Sequence, residues 1–492
     1  MKRILKVYRR TASIVKESSI NMYENLVGNK KGFLLESYDK NYDRYTLFGA
    51  EPEELITSRK DALVIQSSQG EEVREGNPYE LLKEYYSQFE IKKEADGLSF
   101  SGGLVGSLGY DFVRYCEKLP DGNPDEIGIE SIQMMLMTKF IVVDHVAETL
   151  TAVVLGEDSE EGKQEALQEA EALIAQADPS RKTLHSQAAA EGKKHAQEEM
   201  PAVPADEAPV FVRDGRIIHK SDTLEEYSAK VEKIKYYIRE GHIFQAVLSQ
   251  RWTIETRQQG FALYKELRER NPSPYLYYFN FGAFEVIGSS PEMIVKQQGR
   301  QVFTCPIAGT RRRGRDAEED QRLKEELLAD EKERAEHVML VDLARNDMGR
   351  VSECGTVKVT QFMGVQNYSH VMHIASMVEG RRRGHCHPVD LVASFLPAGT
   401  LSGAPKIRAM EIIEELEESR RGLYGGASGY IDFSGDMDFC ITIRTMVKKG
   451  NQVFLQAGAG IVADSQPEME YQECCNKVMA LARTLVDEEV KI

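Results

Sequence analysis

Hydrophobic residues recur along the chain at two different spacings, and these predict a mixture of strands and helices. In the N-terminal third, short runs rich in β-branched and aromatic residues fit strands, namely FLLES, YTLFGA, ALVIQS, KFIVVD and LTAVVLG. Among them, PYELLKEYYSQF and EEGKQEALQEAEALIAQA repeat apolar residues at helical spacing. This part of the chain is therefore predicted to combine strands with helices.

The rest of the chain repeats this alternation. Residues 223–240 carry apolar residues on one helical face, namely Leu224, Tyr227, Val231, Ile234 and Ile238. Strand-like runs follow, namely AVLSQRWTIE, PYLYYFNF, FEVIGSS and QVFTCPIAGT, and later GGASGYIDF, FCITIRTMV and VFLQAGAGIV. Further helices are predicted over residues 317–343, in PKIRAMEIIEELEE, and from Pro467 onward.

Short gaps between neighbouring strands favour antiparallel pairing. The gap KKGNQ, residues 448–452, has the length of a hairpin loop. Parallel strands need a crossover of about a dozen residues or more. The sequence therefore predicts an α+β fold and not a doubly wound parallel sheet.

One segment interrupts both patterns. Residues 178–209 contain no aromatic residue and almost no large aliphatic residue, so they cannot bury enough apolar surface to offset their ordering entropy. We predict a flexible linker or insert here. It divides the chain into an N-terminal part, residues 1–177, and a C-terminal part, residues 210–492.

Composition narrows the class of protein. The 492 residues include 62 Lys and Arg against 79 Asp and Glu, a net charge of −17, which disfavours a nucleic-acid partner because polyanions bind basic surfaces. No apolar run approaches the roughly 18 residues of a membrane span, and the N-terminus lacks the apolar core of a secretion signal. Seven cysteines without a C-x-x-C pair fit reduced thiols and a cytoplasmic location.

Two acidic pairs at helical i, i+3 spacing are candidate metal ligands. Glu333 and Glu336 precede the apolar run HVMLVDLA, and Glu470 and Glu473 lie in the final helix on a face that continues to Lys477. Two such faces opposite each other would form an oxygen-only site suited to Mg²⁺. Taken alone, the residues favour a solvated acidic surface, because E-x-x-E is common in so acidic a chain.

Glycine-rich and basic segments are further candidate ligand sites. Residues 458–477 predict a strand that ends in a glycine turn with N–H groups open to an anion, and Ser465 with Glu468 predicts a capping box. A dinucleotide site does not fit, because only 28 residues follow Asp464. PIAGTRRRG and PAGTLSGAPK could each approach a ligand or be ordinary surface loops. Arg444, inside the apolar strand FCITIRT, needs a carboxylate partner.

Together these segments resemble the chorismate-utilising enzymes. The shared motifs, in the family's order, are FSGGLVGSLGYD, GHIFQAVLSQR, GSSPEM, PIAGT, EHVMLVDLARND, GTLSGAPKIRAMEII, ITIRT and GAGIVADSQPEMEYQE. They span nearly the whole chain outside residues 178–209. The resemblance implies an α/β/β/α sandwich, in which two large, mostly antiparallel sheets pack together with helices outside and chorismate binds in a cleft beside them.

The resemblance also implies roles for individual residues, with Mg²⁺ as the cofactor. The implied catalytic residues are His373, Glu292, Thr400 and Gln245. The implied metal ligands are Glu336 and Glu473, with Glu333 and Glu470 beside them holding metal-bound water. The implied substrate-binding residues are Arg444, Gly458, Ala459, Gly460, Tyr424, Lys477, Gly309 and Thr310.

The implied reaction converts chorismate and ammonia to anthranilate and pyruvate, the first step of tryptophan biosynthesis. Ammonia adds at ring C2 while Glu292 protonates the leaving C4 hydroxyl, giving an aminodeoxyisochorismate intermediate, and His373 assists the loss of pyruvate. Family members that add water carry a lysine base where this chain has Gln245, and the 4-amino-4-deoxychorismate synthases carry a lysine nucleophile where it has Ala308. Both residues favour anthranilate. The alternatives are a 4-amino-4-deoxychorismate synthase and a non-catalytic tryptophan-binding regulator.

Two further segments, LLES and NPSPY, resemble a feedback tryptophan site. The implied tryptophan-binding residues are Glu36, Ser37, Pro274, Tyr275 and Leu276, with Glu36 pairing the ligand's ammonium. No segment resembles a glutaminase. The resemblance therefore implies free ammonia as the nitrogen source, or a separate glutamine amidotransferase subunit in a heterotetramer.

Overall fold

Two large β-sheets form the centre of the computed structural model. It describes residues 2–14, 17–37, 44–92, 98, 100–180, 213–367 and 371–486. The linker predicted at residues 178–209 lies, beyond residue 180, outside the described residues. The described strands, numbered in chain order, form one sheet of 13 and one of 12.

The first sheet is a path of twelve strands with one short strand attached to it. In spatial order its strands are β12 (Arg216–Lys220), β13 (Gln245–Glu255), β25 (Gln452–Ile461), β24 (Thr445–Lys449), β15 (Glu285–Ser290), β14 (Tyr275–Asn280), β2 (Gly32–Glu36), β3 (Tyr45–Ala50), β10 (Lys139–Asp144), β11 (Thr149–Gly156), β1 (Arg3–Ser13) and β7 (Phe89–Lys92), and β21 (Gly403–Ala404) pairs with β13. The β1–β7 pair is parallel, and the other described pairs of this sheet are antiparallel.

The second sheet is antiparallel at every described pair. In spatial order its strands are β18 (Ile307–Arg312), β20 (Val371–Arg381), β17 (Gln301–Thr304), β16 (Met293–Gln298), β23 (Met437–Ile441), β22 (Ala427–Asp432), β8 (Gly103–Leu108), β9 (Ile132–Met137), β4 (Glu54–Ser58), β5 (Ala62–Ser67) and β6 (Gly70–Glu75), and β19 (Lys358–Asn367) pairs with β20. Strands from both sides of the predicted linker share each sheet, as β14 with β2 and β22 with β8 show.

Side chains that alternate along the strands build the apolar layers. Met135 and Met137 of β9 join Phe140 and Val142 of β10 in one core between the sheets. The intervening residues of β9 face the helices outside the second sheet, and those of β10 face the helices outside the first. The predicted α+β class, built as an α/β/β/α sandwich, is confirmed.

Helices cover both outer faces. They are α1 (Ser19–Leu26), α2 (Pro78–Ser87), α3 (Glu160–Ala177), α4 (Leu224–Arg239), α5 (Gly260–Arg270), α6 (Ala317–Ala329), α7 (Glu331–Val351), α8 (Pro388–Phe395), α9 (Lys406–Leu416) and α10 (Pro467–Ala482), with short 3₁₀ helices at Tyr110–Tyr115 and Gly399–Leu401. Helices α1, α3, α5 and α10 pack on the first sheet, and α2, α7 and α8 pack on the second. No helix among the described residues has the length and apolarity that a membrane span requires.

Two helix boundaries differ from those that the sequence predicts. The helical region predicted over residues 317–343 breaks at Asp330, whose extended backbone ends α6 and whose carboxylate caps the first N–H groups of α7. The capping box predicted at Ser465 is wrong, because Gln466 occupies the N-cap and makes no side-chain bond there. The Ser465 hydroxyl instead accepts the N–H of Val462 at 3.0 Å and closes the preceding turn.

The core between the sheets makes a prediction about stability. Phe140 is 0% exposed there and packs on the Phe100 ring, with 4.8 Å between centroids. Phe140→Ala should lower the free energy of unfolding by about 3–5 kcal/mol, because a cavity replaces the ring. Phe362→Ala is the control, since Phe362 is 56% exposed. Urea unfolding measures both, and similar losses for the two variants would contradict this account of the core.

Candidate active site

Glu292 lies where the chain crosses from β15 in the first sheet to β16 in the second. Its side chain is buried and accepts a hydrogen bond from Thr400 Oγ1 at 3.1 Å. Burial raises the pKa of Glu292 to about 8, against smaller opposing effects of Thr400, the Ile307 N–H, Arg444 and Lys477. The carboxyl is therefore largely protonated at neutral pH.

His373 lies on β20 and is also buried. Its Nδ1 is 2.9 Å from the carbonyl oxygen of Gly309 and 3.1 Å from Thr310 Oγ1. Because a carbonyl can only accept, Nδ1 carries the proton and Nε2 is the basic nitrogen of the neutral ring. Burial lowers the pKa of His373, and the charge of Arg444 lowers it further.

Arg444 is not inside a strand, so that prediction is wrong. It lies between β23 and β24 with φ of 49°, a left-handed conformation that arginine rarely adopts, and it is exposed. The apolar pattern of FCITIRT continues across this break, because Ile443 and Thr445, on either side of Arg444, are both less exposed than Arg444. The charge of Arg444 lowers the pKa of both Glu292 and His373, so it lies close to both.

The acidic pairs of α7 and α10 face each other. Burial raises the pKa of Glu336, and the neighbouring charges of Glu333 and Glu473 raise it further. Burial likewise raises the pKa of Glu470, with a further contribution from Glu473. Gln245 Nε2 donates to Glu336 Oε1 at 3.2 Å, which joins this acidic cluster to β13.

Two cations already pair with the acidic cluster. Lys477 Nζ is 2.7 Å from Glu473 Oε1 and donates to the carbonyl oxygen of Gly458 at 2.8 Å. Arg311 is 3.4 Å from Glu333 Oε1 and also ties α6 to α7. Sequence reasoning missed Arg311, because the only signal was its place in the R-R-R run, which is equally typical of a surface loop.

By donor type, the acidic cluster fits Mg²⁺. No three His, Cys, Asp or Glu side chains in the described part of the chain already converge as a ligand set. Mg²⁺ needs few protein ligands, however, since it usually keeps several waters and binds one or two carboxylates. Burial is the main cause of the raised pKa of Glu336 and of Glu470, and neighbouring carboxylates contribute less; a divalent cation would neutralise this buried negative charge.

Gly458 and Gly460 lie within β25, in agreement with the strand predicted for VFLQAGAGIV, whereas the glycine turn predicted at its end is wrong because the turn follows at residues 463–464. Opposite Gly458 and Gly460 on β13, Ser249 and Val247 send their N–H groups to other acceptors. These are therefore non-hydrogen-bonded pairs, and both glycines point their N–H groups away from β13. Ala459 has the opposite orientation and its side chain is in an apolar core, so its predicted N–H contribution is wrong.

Tyr424 and Gln245 lie against the two glycines. A Cβ on Gly458 would stand 2.9 Å from the Leu248 carbonyl oxygen and 3.0 Å from the Tyr424 hydroxyl, and a Cβ on Gly460 would stand 2.4 Å from Gln245 Nε2. On the other side of the cleft, a Cβ on Gly309 would lie 3.1 Å from Glu333 Oε2. These contacts link the predicted catalytic, metal and substrate residues into one group, apart from the side chain of Ala459, and we call the region that they border the candidate cleft.

A second site lies between the two sheets. A cavity of about 580 Å³ is lined by all the predicted tryptophan-binding residues, namely Glu36, Ser37, Pro274, Tyr275 and Leu276. The Ser37 hydroxyl is buried and has no hydrogen-bond partner among the described residues. The cavity therefore offers apolar walls with a polar group available for a ligand.

Charged groups in this cavity are paired within the protein. The Glu36 carboxylate is 2.8 Å from Arg268. Asp438, which sequence reasoning missed, accepts from the Tyr275 hydroxyl at 3.0 Å and pairs with Lys296 at 2.8 Å. The sequence DMDFCIT gives no sign that Asp438 lines a cavity, because an acidic residue between apolar neighbours is also typical of an ordinary surface strand.

Comparison with known proteins identifies the class. Residues 31–483 match the family model described as chorismate binding enzyme, and the chain belongs to this family. It is 44% identical over 472 residues to anthranilate synthase component 1 of Acetivibrio thermocellus, covering 95% of this chain and 93% of that one. It is 42% identical over 485 residues to the Thermus thermophilus protein of the same name, covering 98% of each.

A solved structure agrees with this assignment. Anthranilate synthase component I from Streptococcus pneumoniae TIGR4 superposes with a TM-score of 0.73 at 37% identity, covering 89% of this chain and 92% of that one. The predicted family, the resemblance to anthranilate synthase component I and the prediction of an enzyme are confirmed.

The pKa of Glu292 predicts a pH-dependent stability. In the folded chain it is about 8, above the ordinary value of 4.5, so the folded state binds more protons between these values. The free energy of unfolding should therefore fall as pH rises across this window, by up to about 1.4 kcal/mol per pH unit. Glu292→Gln should lack this component. Denaturant unfolding of both proteins from about pH 5 to about pH 8 measures the difference, and parallel curves would show that Glu292 is not buried as described.

Proposed function

We propose that the chain converts chorismate and ammonia to anthranilate and pyruvate, as the first step of tryptophan biosynthesis. One observation carries this proposal. Burial keeps the Glu292 carboxyl protonated and the His373 imidazole neutral, and the charge of Arg444 acts on both groups. When the pKa of one group is raised and that of its neighbour is lowered, the two can serve as acid and base at the same pH. The relatives named anthranilate synthase component 1 support the same assignment.

In the first stage, ammonia attacks ring C2 and the C4 hydroxyl leaves. The departing hydroxyl needs a proton, and Glu292 is the acid proposed to supply it. The Thr400 hydroxyl, which donates to Glu292 Oε1, holds that carboxyl and positions the ring. The product of this stage is aminodeoxyisochorismate.

In the second stage, the C2 proton is removed and the C3–O bond breaks, which makes the ring aromatic. The side chain leaves as the enolate of pyruvate, whose methylene carbon takes up a proton to give pyruvate. His373 is the proposed base, through Nε2. Its Nδ1–H bond to the Gly309 carbonyl fixes the ring in the tautomer that this role needs. Thr310 lies beside the same nitrogen and helps to orient it.

The residues at two positions favour anthranilate over the products of other family members. The Gln245 amide is neutral and cannot itself deprotonate water, whereas ammonia is already nucleophilic. Ala308 lies on β18 and offers no nucleophile for the 4-amino-4-deoxychorismate reaction.

The two carboxylates of the substrate are proposed to bind to nearby positive groups of the site. Arg444 and the N–H groups of Gly458 and Gly460 are proposed to bind the enolpyruvyl carboxylate, with Lys477, which bonds the Gly458 carbonyl oxygen, beside them. Mg²⁺ held by Glu336 and Glu473, with Glu333 and Glu470 behind water, would supply positive charge for the ring carboxylate. A chain of net charge −17 cannot attract a substrate with two carboxylates at long range, and salt screens charges beyond about 8 Å, so these local cations would have to supply the attraction.

Two further properties belong to this proposal. The cavity between the sheets is proposed to bind tryptophan as a feedback inhibitor, because it combines apolar walls with Ser37, Glu36 and Asp438. Glutamine is proposed to serve as nitrogen source through a separate amidotransferase subunit in a heterotetramer, which the name component 1 of the relatives supports. A cytoplasmic location is supported by seven free cysteines.

A fluorescence assay for anthranilate tests the reaction, using purified chain, chorismate, Mg²⁺ and excess ammonium. Glu473→Ala and a metal-free sample should each lose more than about a hundredfold in activity, because the cation site is removed. Glu468→Ala is the matched control on α10, since Glu468 is exposed and outside the acidic cluster. Consumption of chorismate without anthranilate would favour the 4-amino-4-deoxychorismate or water-adding reactions. No consumption would favour a non-catalytic tryptophan-binding regulator.

The tryptophan site makes its own prediction. Ser37→Ala should raise the tryptophan concentration for half-inhibition by roughly two- to tenfold, because a single hydrogen bond contributes about 0.5–1.5 kcal/mol. Ser68→Ala, in an exposed loop, is the control. Inhibition curves of the ammonia-dependent reaction measure both. Equal half-inhibition in wild type and Ser37→Ala would contradict a role for this hydroxyl.

A further inference from the structure

A buried ion pair lies directly behind the substrate side of the cleft. The side chains of Glu417 and Arg421 are 8% and 2% exposed. Arg421 Nε is 2.8 Å from Glu417 Oε2, and Nη2 is 2.6 Å from Oε1. This bidentate contact fixes the plane of the guanidinium, as a lysine could not.

The pair is also bonded to the main chain of other segments. Arg421 donates to the carbonyl oxygen of Leu401 at 2.6 Å and to that of Val247 at 2.6 Å. Glu417 Oε1 accepts from the N–H of Ser249 at 2.9 Å and from its hydroxyl at 2.8 Å. One ion pair therefore joins β13, the 3₁₀ helix at Gly399–Leu401 and the segment that leads into β22.

Two of the attachment points, Leu401 and Val247, lie within two residues of the proposed site in sequence. Leu401 follows Thr400, whose hydroxyl donates to the proposed acid. Val247 lies two residues after Gln245 on β13. The guanidinium also stands over the ring of Tyr424, at 5.6 Å from its centroid. Thr400, Gln245 and Tyr424 otherwise come from separate parts of the chain.

We propose that Arg421 is a positioning residue for the reaction, which sets Thr400, Gln245 and Tyr424 at fixed distances from one another. It acts through these residues and contacts no reacting atom. The inference rests on the proposed function. Stability alone is a poor account of the pair, because buried ion pairs can often be replaced by apolar side chains without loss. Reaction rate is more sensitive, since a displacement of about 1 Å can cost on the order of a hundredfold.

The first test is Arg421→Lys, assayed as chorismate consumption with excess ammonium. Lysine keeps the charge opposite Glu417 but has one nitrogen, whereas Arg421 uses Nη1 for the Leu401 carbonyl oxygen and Nη2 for that of Val247. We expect kcat to fall by about 10- to 100-fold while KM changes little. Arg213→Lys is the control, because Arg213 pairs with Glu266 of α5, away from the cleft, at 2.7 Å. Equal effects of the two substitutions would overturn the proposal.

A double-mutant cycle separates positioning from a general structural effect. If Arg421 acts through Thr400, then Arg421→Lys combined with Thr400→Ala should lose much less activity than the product of the two single losses. Losses that multiply would show that Arg421 does not act through Thr400, and would overturn the proposal.

A third variant keeps the test valid if Arg421→Lys folds poorly. Arg421→Met with Glu417→Leu removes both charges and conserves much of the volume. The Leu401 and Val247 carbonyl oxygens and the Ser249 N–H lose these partners, so the thermal midpoint is measured first and kcat is assayed well below it. Its kcat should still fall as far as that of Arg421→Lys, and a normal kcat would overturn the proposal. Wild-type protein that consumes chorismate without making anthranilate would overturn the proposed reaction alone, whereas no consumption would overturn both.

Discussion

The apolar contact between the two sheets holds the cleft together. Gln245 and Gly460 come from the first sheet, His373 comes from the second, and Glu292 lies at the crossing between them. Hydrophobic burial is non-directional, but interdigitated side chains such as Phe140 fix how one sheet sits on the other. The distances among the reacting groups are therefore set by packing far from the chemistry.

Local pattern predicted much of the fold. The runs YTLFGA, ALVIQS and KFIVVD coincide with β3, β5 and β10, and the helix in EEGKQEALQEAEALIAQA coincides with α3. The three strands are short apolar runs largely buried on both faces, and α3 has one apolar face, so both patterns are visible in the sequence. The failures occur where a partner distant in sequence decides the backbone. The turn predicted at Gly458 is absent because β25 continues beside β13, and Arg444 adopts a left-handed conformation that an apolar pattern cannot reveal.

The candidate site was less visible than the fold. From residues alone, Glu333 and Glu336 favoured a solvated helix face, and only the resemblance pointed to a metal site. The protonation states of Glu292 and His373 cannot be predicted from sequence patterns, because their burial depends on elements far apart in the chain. The Glu417–Arg421 pair was equally hidden, since an acid and a base four residues apart are usually an exposed pair of little consequence.

A single strand crossing borders both the cleft and the cavity. Pro291 and Met293 line the cavity between the sheets, while Glu292 between them accepts the bond from Thr400. A cavity ligand and the Glu292 proton are therefore thermodynamically linked if binding shifts this short segment. Such linkage is reciprocal. If ligand binding changes the acid dissociation constant of Glu292 by some factor, then protonation of Glu292 changes the affinity for the ligand by the same factor. The pH of the solution then becomes a second effector of the cavity.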